Sequence, residues 1–400
     1  MPPTFADLTT LRVGGEIDSY VEVSTEQELV DVVRGCDDAG EPLLVVGSGS
    51  NLLVADEGFS GVVVRDLRTG VRRESEDACG GASVVAPAGQ PWDALVAEAV
   101  DSGWIGVEAL SGIPGTLGAA PVQNIGAYGQ EVAGVVASVR VWDRARGRVR
   151  TLAAGELGFG YRTSLLKRST RDVPTEDDPA APWFPTPRYV VLDVALQMRL
   201  GTSSAPVAYA ELARRLDVEV GTRAPGADVR AAVLELRAGK GMLEDRAGRD
   251  DRAGRPAEDA APGAPTSAPD HDRWSAGSFF TNPVVPADQA DRLPADAPRF
   301  PVRSARPETT TGPSLGAVDE SLVKTSAAWL IEHAGFGRGF GLDGERSRAR
   351  LSTRHTLALT NRGGASAADV VALARAVRDG VHAAFGIELE PEPVLVGVSL

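Results

Sequence analysis

Ser111-Gly112-Ile113-Pro114-Gly115-Thr116-Leu117-Gly118-Ala119-Ala120-Pro121-Val122-Gln123-Asn124-Ile125-Gly126-Ala127-Tyr128-Gly129 is the stretch on which the reading of this chain turns. Its glycines recur too densely for a helix or a regular strand, since each is entropically costly to fix and brings no side chain to pack. So many glycines and amides in an apolar context point to main chain laid closely against a flat ligand. Upstream, Gly47-Ser48-Gly49-Ser50-Asn51 follows the apolar Leu43–Val46. Small residues after a buried strand let successive backbone amides converge on an anion, and Asn51 adds a side-chain donor.

Outward from these two loops the chain alternates strand and helix. Tyr20–Val23 reads as a strand, and Thr25 with Glu28 forms a capping box that opens a helix through Val33. Leu43–Val46, Leu52–Val54, Val62–Val64 and Ser83–Ala86 read as strands, and Pro91 opens a helix reaching about Asp101. Val135–Trp142, Val149–Leu152 and Tyr189–Met198 have the pattern of an antiparallel sheet. Further on come the segment Ser278–Val285, a helix over Ser321–His333, a strand over Leu357–Thr360, a helix over Ala367–Phe385 and a final strand over Glu388–Val396.

Two segments interrupt the pattern. Arg168–Arg188 holds five prolines and a run of acids, and is expected to be an extended surface loop. Glu244–Arg273 has no large apolar residue and carries D-R-A-G-R twice, at Asp245–Arg249 and Asp251–Arg255. It cannot bury enough surface to offset its ordering entropy, so it is expected to be disordered.

Composition narrows the function. The 400 residues are 43% hydrophobic and 24% charged, which is ordinary for a globular protein of two or three domains. A net charge of −14 argues against nucleic-acid and anionic-membrane partners, both of which need a basic face. Cys36 and Cys79, without a C-x-x-C, exclude a disulfide scaffold and a zinc module. His271, His333, His355 and His382 lack ligand spacing, so no metal site is expected. Lysine occurs only at Lys167, Lys240 and Lys324. No apolar run approaches a membrane span and no secretion signal opens the chain, which leaves the cytoplasm as the expected compartment. Leu52 stands where a dinucleotide fingerprint wants glycine, and Gly312–Gly316 lacks the strand–turn–helix setting of a nucleophile elbow.

The motifs V-V-G-S-G-S-N-L-L-V, S-G-I-P-G-T-L-G-A-A-P-V-Q-N-I-G-A-Y-G, F-G-Y-R-T-S, S-A-G-S-F-F-T-N-P-V-V and L-E-P-E, in that order, resemble the UDP-N-acetylenolpyruvoylglucosamine reductase family from about Leu8 to Gly397. The resemblance implies an α+β fold, the FAD-binding fold of the vanillyl-alcohol-oxidase (PCMH) type, with two flavin-binding subdomains and a third that covers the substrate. The expected division is 1–67 together with 388–400, then 68–240, then 241–387. It further implies a flavoenzyme of peptidoglycan synthesis that uses FAD and NADPH to reduce the enolpyruvyl ether of UDP-N-acetylglucosamine to UDP-N-acetylmuramate.

Site residues follow from the same resemblance. Arg162 of F-G-Y-R matches an arginine held against the substrate carboxylate, Glu392 of L-E-P-E a glutamate paired with that site, and Ser278 the proton donor. Glu390 is the nearest alternative to Glu392. Asn282 matches a substrate contact. Tyr209 in V-A-Y-A-E-L resembles a tyrosine that closes over the diphosphate in one of two family subtypes, accompanied by Arg237 and Lys240 of L-R-A-G-K. Three residues apart at a helix end, those two cations are positioned to face one anion. For the cofactor the candidates are Gly47, Ser48, Gly49, Ser50, Asn51, Gly112, Pro114, Gly115, Gly118, Gln123, Asn124 and Gly126. A flavin oxidase of the same fold usually carries a histidine or cysteine tether, which Gly47–Asn51 does not offer. A catalytically dead nucleotide-sugar binder would have no reason to keep Arg162, Ser278 and Glu392 together. A monomer is expected, although no exposed apolar stripe stands out to decide between monomer and dimer.

Overall fold

The computed structural model describes residues 3–171, 183–244, 269–307 and 316–400. A small parallel sheet is built from β1 (Ile17–Val23), β2 (Leu43–Val46) and β4 (Phe59–Asp66), in the order β1–β4–β2, with β3 (Leu52–Val54) between β2 and β4 in sequence. Helix α1 (Glu26–Ala39) begins at the expected capping box: Thr25 Oγ1 accepts from the Glu28 amide at 3.2 Å, and the Glu28 carboxylate accepts from the Thr25 amide at 3.0 Å. It runs beyond Val33 because Cys36 continues its buried stripe, and it stops at Gly40 in the left-handed region.

A larger antiparallel sheet follows: β5 (Arg72–Asp77), β6 (Gly81–Pro87), β7 (Val136–Asp143), β8 (Arg148–Ala153) and β9 (Tyr189–Leu200), in the order β8–β7–β9–β6–β5. One face packs on helix α2 (Trp92–Asp101) around Trp92, Trp104, Leu95 and Val139. Trp142, Val190 and Leu192 of this sheet meet Leu29 and Val33 of α1, so α1 lies between the two sheets. Helices α3 (Ala210–Leu216) and α4 (Gly226–Gly239) form a separate small cluster around Leu212 and Val233.

The last third contains a three-stranded antiparallel unit, β10 (Val284–Pro286), β11 (Arg299–Pro307) and β12 (Gly316–Thr325), with β12 central. Helix α5 (Ala327–His333), the pair β13 (Ala349–Leu351) and β14 (Leu359–Asn361), and helix α6 (Ala367–Phe385) complete it. Finally β15 (Val394–Val396) pairs in parallel with β3 in a separate two-stranded sheet, and Val54 and Val396 pack on Val46 and Val63 of the first sheet. Asp56 adds a second tie, accepting from the Ala367 and Ala368 amides at 2.7 and 3.0 Å at the α6 N-terminus.

Several expectations need correction. Ser321–Thr325 is the end of β12; α5 starts only after Ser326, whose hydroxyl caps it by accepting from the Trp329 amide at 3.3 Å. Of Glu388–Val396 only the last three residues are strand, because Pro391 interrupts the ladder with one isolated bridge to Phe280. The loop expected over Arg168–Arg188 is built into the fold at both ends. Thr186 is buried, its hydroxyl accepting from the Val45 amide, and the buried Arg188 pairs with Asp143 at 2.8 Å. Likewise Asp270–Arg273 is ordered: Asp272 accepts from the Thr353 amide and hydroxyl at 2.9 and 2.6 Å and pairs with Arg362 at 2.9 Å. The remainder of the expected disordered insertion, with both D-R-A-G-R copies, lies outside the described residues, as do 172–182 and most of Gly312–Gly316.

Candidate active site

One continuous cavity of 1910 Å³ runs between the three units, and every proposed site residue lines it except Gly112. Gly112 is instead fixed by the wall behind: its amide donates to Asp93 at 2.6 Å and its carbonyl accepts from Arg237 at 3.1 Å.

At the centre, Arg162 occupies a two-residue turn closed by hydrogen bonds between Gly160 and Thr163. Its φ is +52°, in the left-handed region that such a turn usually gives to glycine or asparagine. An L-residue there costs about 1 kcal/mol, which the surroundings must offset. Arg162 Nη2 donates to the Gly126 carbonyl at 2.9 Å, and Nε lies 3.1 Å from Glu392 Oε1. Glu392 in turn receives Gln123 Nε2 at 3.4 Å, and Gln123 Oε1 receives Asn51 Nδ2 at 2.9 Å. Glu390, the alternative, is exposed, and among the described residues only its carbonyl is engaged, by Thr281. Ser278 joins the group through its neighbour, since the Glu392 amide donates to the Phe279 carbonyl at 2.8 Å. No hydrogen bond engages the Ser278 hydroxyl among the described residues.

The 47–51 loop forms the opposite wall. Gly49 has φ +66°, and a Cβ there would stand 2.1 Å from the Leu8 carbonyl oxygen, so only glycine fits. Its carbonyl accepts from the Thr10 amide at 3.1 Å, while the buried Thr10 hydroxyl has no partner. The Gly49 and Ser50 amides donate to no acceptor among the described residues. Unpartnered donors around small residues fit the phosphate groups of FAD. Asn51 departs from expectation: its amide is spent on Gln123 and on the Glu392 carbonyl at 3.2 Å, tying the loop to the C-terminal segment. Nor do most of the glycines press on a ligand with the face that lacks Cβ. At Gly118 that face meets Ala88, and at Gly126 it meets Gln130 and Glu131. At Gly115 it is open save for Ser50 Oγ at 3.5 Å.

The far end of the cavity is cationic and aromatic. Lys240 pairs with Glu211 at 2.6 Å and sits 5.5 Å above the Tyr128 ring, which meets half-exposed Tyr209 edge-on at 5.8 Å. Burial pushes the Tyr128 hydroxyl up to about 12. Arg237 does not share an anion-facing position with Lys240. It is buried, with donors engaged by the carbonyls of Gly112 and Met242, and so pins two loops. Asn282 likewise works within the protein: its amide N–H donates to the Tyr161 hydroxyl at 3.1 Å and its side-chain carbonyl accepts from the Ala327 amide at 3.0 Å.

Two cavity residues escaped the sequence reading. Lys324 lies 4.6 Å over the Tyr161 ring, and burial lowers its ammonium below the usual lysine range. His355 is pushed down to about 4, chiefly by burial and then by Lys240, so its ring is neutral at pH 7. The only signal for Lys324 was its rarity; His355 had none.

The matching family models are the UDP-N-acetylenolpyruvoylglucosamine reductase C-terminal domain over residues 268–396 and the FAD binding domain over 17–153. A UDP-N-acetylenolpyruvoylglucosamine reductase of Nocardia farcinica is 51% identical over 99% of this chain and 89% of its own length. One of Cutibacterium acnes is 48% identical with the same coverage. The crystal structure of the corresponding enzyme of Thermus caldophilus aligns with a TM-score of 0.57 at 24% identity, covering 98% of this chain and 97% of its own. The chain belongs to the UDP-N-acetylenolpyruvoylglucosamine reductase family.

Proposed function

We infer that this chain is an NADPH-dependent flavoenzyme that reduces the enolpyruvyl ether of its UDP-sugar substrate to UDP-N-acetylmuramate, a step of peptidoglycan synthesis. The observation that carries the assignment of residues is the chain Asn51–Gln123–Glu392–Arg162, which joins the cofactor loop to the arginine through 2.9, 3.4 and 3.1 Å contacts. Bound FAD supplies the transfer of hydride from NADPH to the outer vinyl carbon. The protein must then hold the negative charge that develops toward the carboxylate and deliver a proton to the inner carbon. In our reading Arg162 grips the carboxylate. Nη1 and Nη2 donate to the main-chain carbonyls of Asn124 and Gly126, which leaves each of them one further N–H for a carboxylate oxygen, while the charge of Glu392 sits 3.1 Å from Nε. Glu392 aims that fork, and Ser278, whose hydroxyl has no protein partner among the described residues, supplies the proton.

Lys240 is our candidate for the diphosphate. Its bond to Glu211, with the two side chains 28% and 31% exposed, is still screened by solvent and worth about 1 kcal/mol, so a dianionic group can compete for it. Tyr209, edge-on to the Tyr128 ring beneath Lys240, lies at the same end. We further propose a cytoplasmic monomer, divided at 1–67 with 388–400, 68–240 and 241–387. The free thiols of Cys36 and Cys79 support a reducing compartment. The deciding experiment is NADPH oxidation with and without the enolpyruvyl sugar nucleotide. Strict dependence on that substrate without oxygen uptake supports the reading, and substrate-independent oxygen consumption would replace it with an oxidase.

A further inference from the structure

We propose that Asn124 is the positioning residue that holds Arg162 in its left-handed turn, rather than a cofactor ligand; the proposal rests on the reading of Arg162 as the carboxylate-gripping group. Asn124 is 1% exposed and itself has φ +48°. Every polar atom of its side chain is occupied inside the protein. Nδ2 donates to Glu131 Oε2 at 2.8 Å and to the Gly160 carbonyl at 3.0 Å, and Oδ1 accepts from the Ala133 amide at 3.1 Å. The orientation of the amide is thereby fixed, because two acceptors face one end and a donor faces the other. Both N–H donors are thus spent, and none is left for a flavin.

What these bonds hold is the Arg162 turn. Gly160 is its first residue, so the bond to the Gly160 carbonyl anchors the turn to the 124–133 segment. The Asn124 main-chain carbonyl then faces Arg162 Nη1 at 3.5 Å, beside the Gly126 carbonyl that receives Nη2. One residue therefore fixes both the base of the turn and the direction of the fork. From the other side, Lys167 Nζ donates to the Arg162 carbonyl at 3.2 Å. A strained φ at a reacting position persists only when neighbours over-determine it, and Asn124 supplies the side-chain bond to the first residue of that turn.

The test uses Asn124→Gly and Asn124→Asp in the FAD-loaded enzyme, alone and combined with Arg162→Lys. Glycine keeps the positive φ and removes the side chain. Aspartate keeps the acceptor for Ala133 and loses both donors; made together with Glu131→Gln, which removes the like charge it would face, it serves if the glycine variant does not fold. Either variant should bind FAD stoichiometrically and let NADPH bleach it at near-normal speed, while reoxidation by saturating enolpyruvyl substrate slows about 10- to 100-fold. In the Arg162→Lys background the same substitution should cost less than about 2-fold, because the group it aims is already gone. Losses that multiply in the double variants, or a loss of bound FAD, would overturn the positioning role. If Arg162→Lys alone costs nothing, the reading of Arg162 fails first and this proposal falls with it.

Discussion

Arg162 Nε and Glu392 Oε1 meet at 3.1 Å although they come from the middle and the last segment of the chain. Both side chains are largely withdrawn from solvent, at 21% and 13% exposure. The pair is therefore screened less than a surface ion pair, and each partner constrains the other.

Replacing Glu392 with glutamine should leave the fork weakly aimed and cut kcat of the substrate half-reaction by about 10²-fold. The reduction of bound FAD by NADPH should remain within a few-fold of normal. Stopped-flow absorbance of the flavin resolves the two steps. Because Gln123 and Asn51 lie on the same chain of contacts, Gln123→Leu should reproduce a fraction of this loss.

Lys240→Met removes a charge that this account gives to substrate binding and not to chemistry. KM for the sugar nucleotide should rise about 10- to 100-fold, the range for one hydrogen bond to a charged group, with kcat little changed. Glu211→Gln should move KM slightly the other way by freeing the ammonium. A fall in kcat with unchanged KM would place Lys240 elsewhere in the cycle.

The parts of the fold that were legible are the local ones. A capping box is written in four residues, and the Thr25–Glu28 box forms where the sequence places it. The error at Ser321 has a tertiary cause. Ser321–Thr325 can pattern as the first turn of a helix, but Lys324 and Val323 pair with Phe300 and Pro301 of a strand about twenty residues away. The same distinction governs the site. Arg162, Ser278 and Glu392 are candidates because they sit in contiguous motifs, which a sequence displays directly. The true employment of Asn51, Asn124 and Arg237 depends on partners such as Gln123, Glu131 and Met242, which only folding brings together.

Arg273 closes the long insertion at its base, donating from Nε to the Leu243 carbonyl at 3.0 Å and from Nη2 to the Glu244 carbonyl. The two ends are thus joined through Arg273. Replacing 247–266 by a short glycine–serine link should leave FAD content unchanged and shift Tm by only a degree or two, since shortening a loop changes closure entropy slowly. Extending the deletion through Asp272 should instead destabilise strongly, because it leaves Arg362 and the Thr353 amide without their buried acceptor.

Acid stability should depend on Asp143 and Asp272. Burial alone would raise both carboxyls, but the Arg188 guanidinium in one case and the Thr353 hydrogen bonds in the other outweigh it and hold them below the usual aspartate range. A depressed carboxyl contributes stability that is complete above the unfolded value near 3.9 and is lost as pH falls through the lower folded value. Chemical denaturation from pH 7 to 2 should therefore show a fall that begins near pH 4. Asp143→Asn should flatten that limb while costing about 3–5 kcal/mol at pH 7, where Arg188 would lose its buried partner.

Ser278 offers the sharpest separation of chemistry from structure. Passing hydride from NADPH to the flavin needs the two rings in register and no proton from this hydroxyl. Reduction of the vinyl ether leaves an enolate that must be protonated on one defined carbon in a cavity lined by protein. Removing a positioned general acid costs about 10²–10⁴ in rate, and more where water cannot substitute. Ser278→Ala should thus still bleach its flavin with NADPH at near-normal speed, while reoxidation by the enolpyruvyl substrate slows at least ~10³-fold, a barrier increase of about 4 kcal/mol. Ser278→Cys, a stronger acid of similar shape, should recover part of the loss. If alanine slows both half-reactions equally, the residue is holding Phe279 and its 2.7 Å bond to the Leu357 carbonyl in place, and the proton must come from another group.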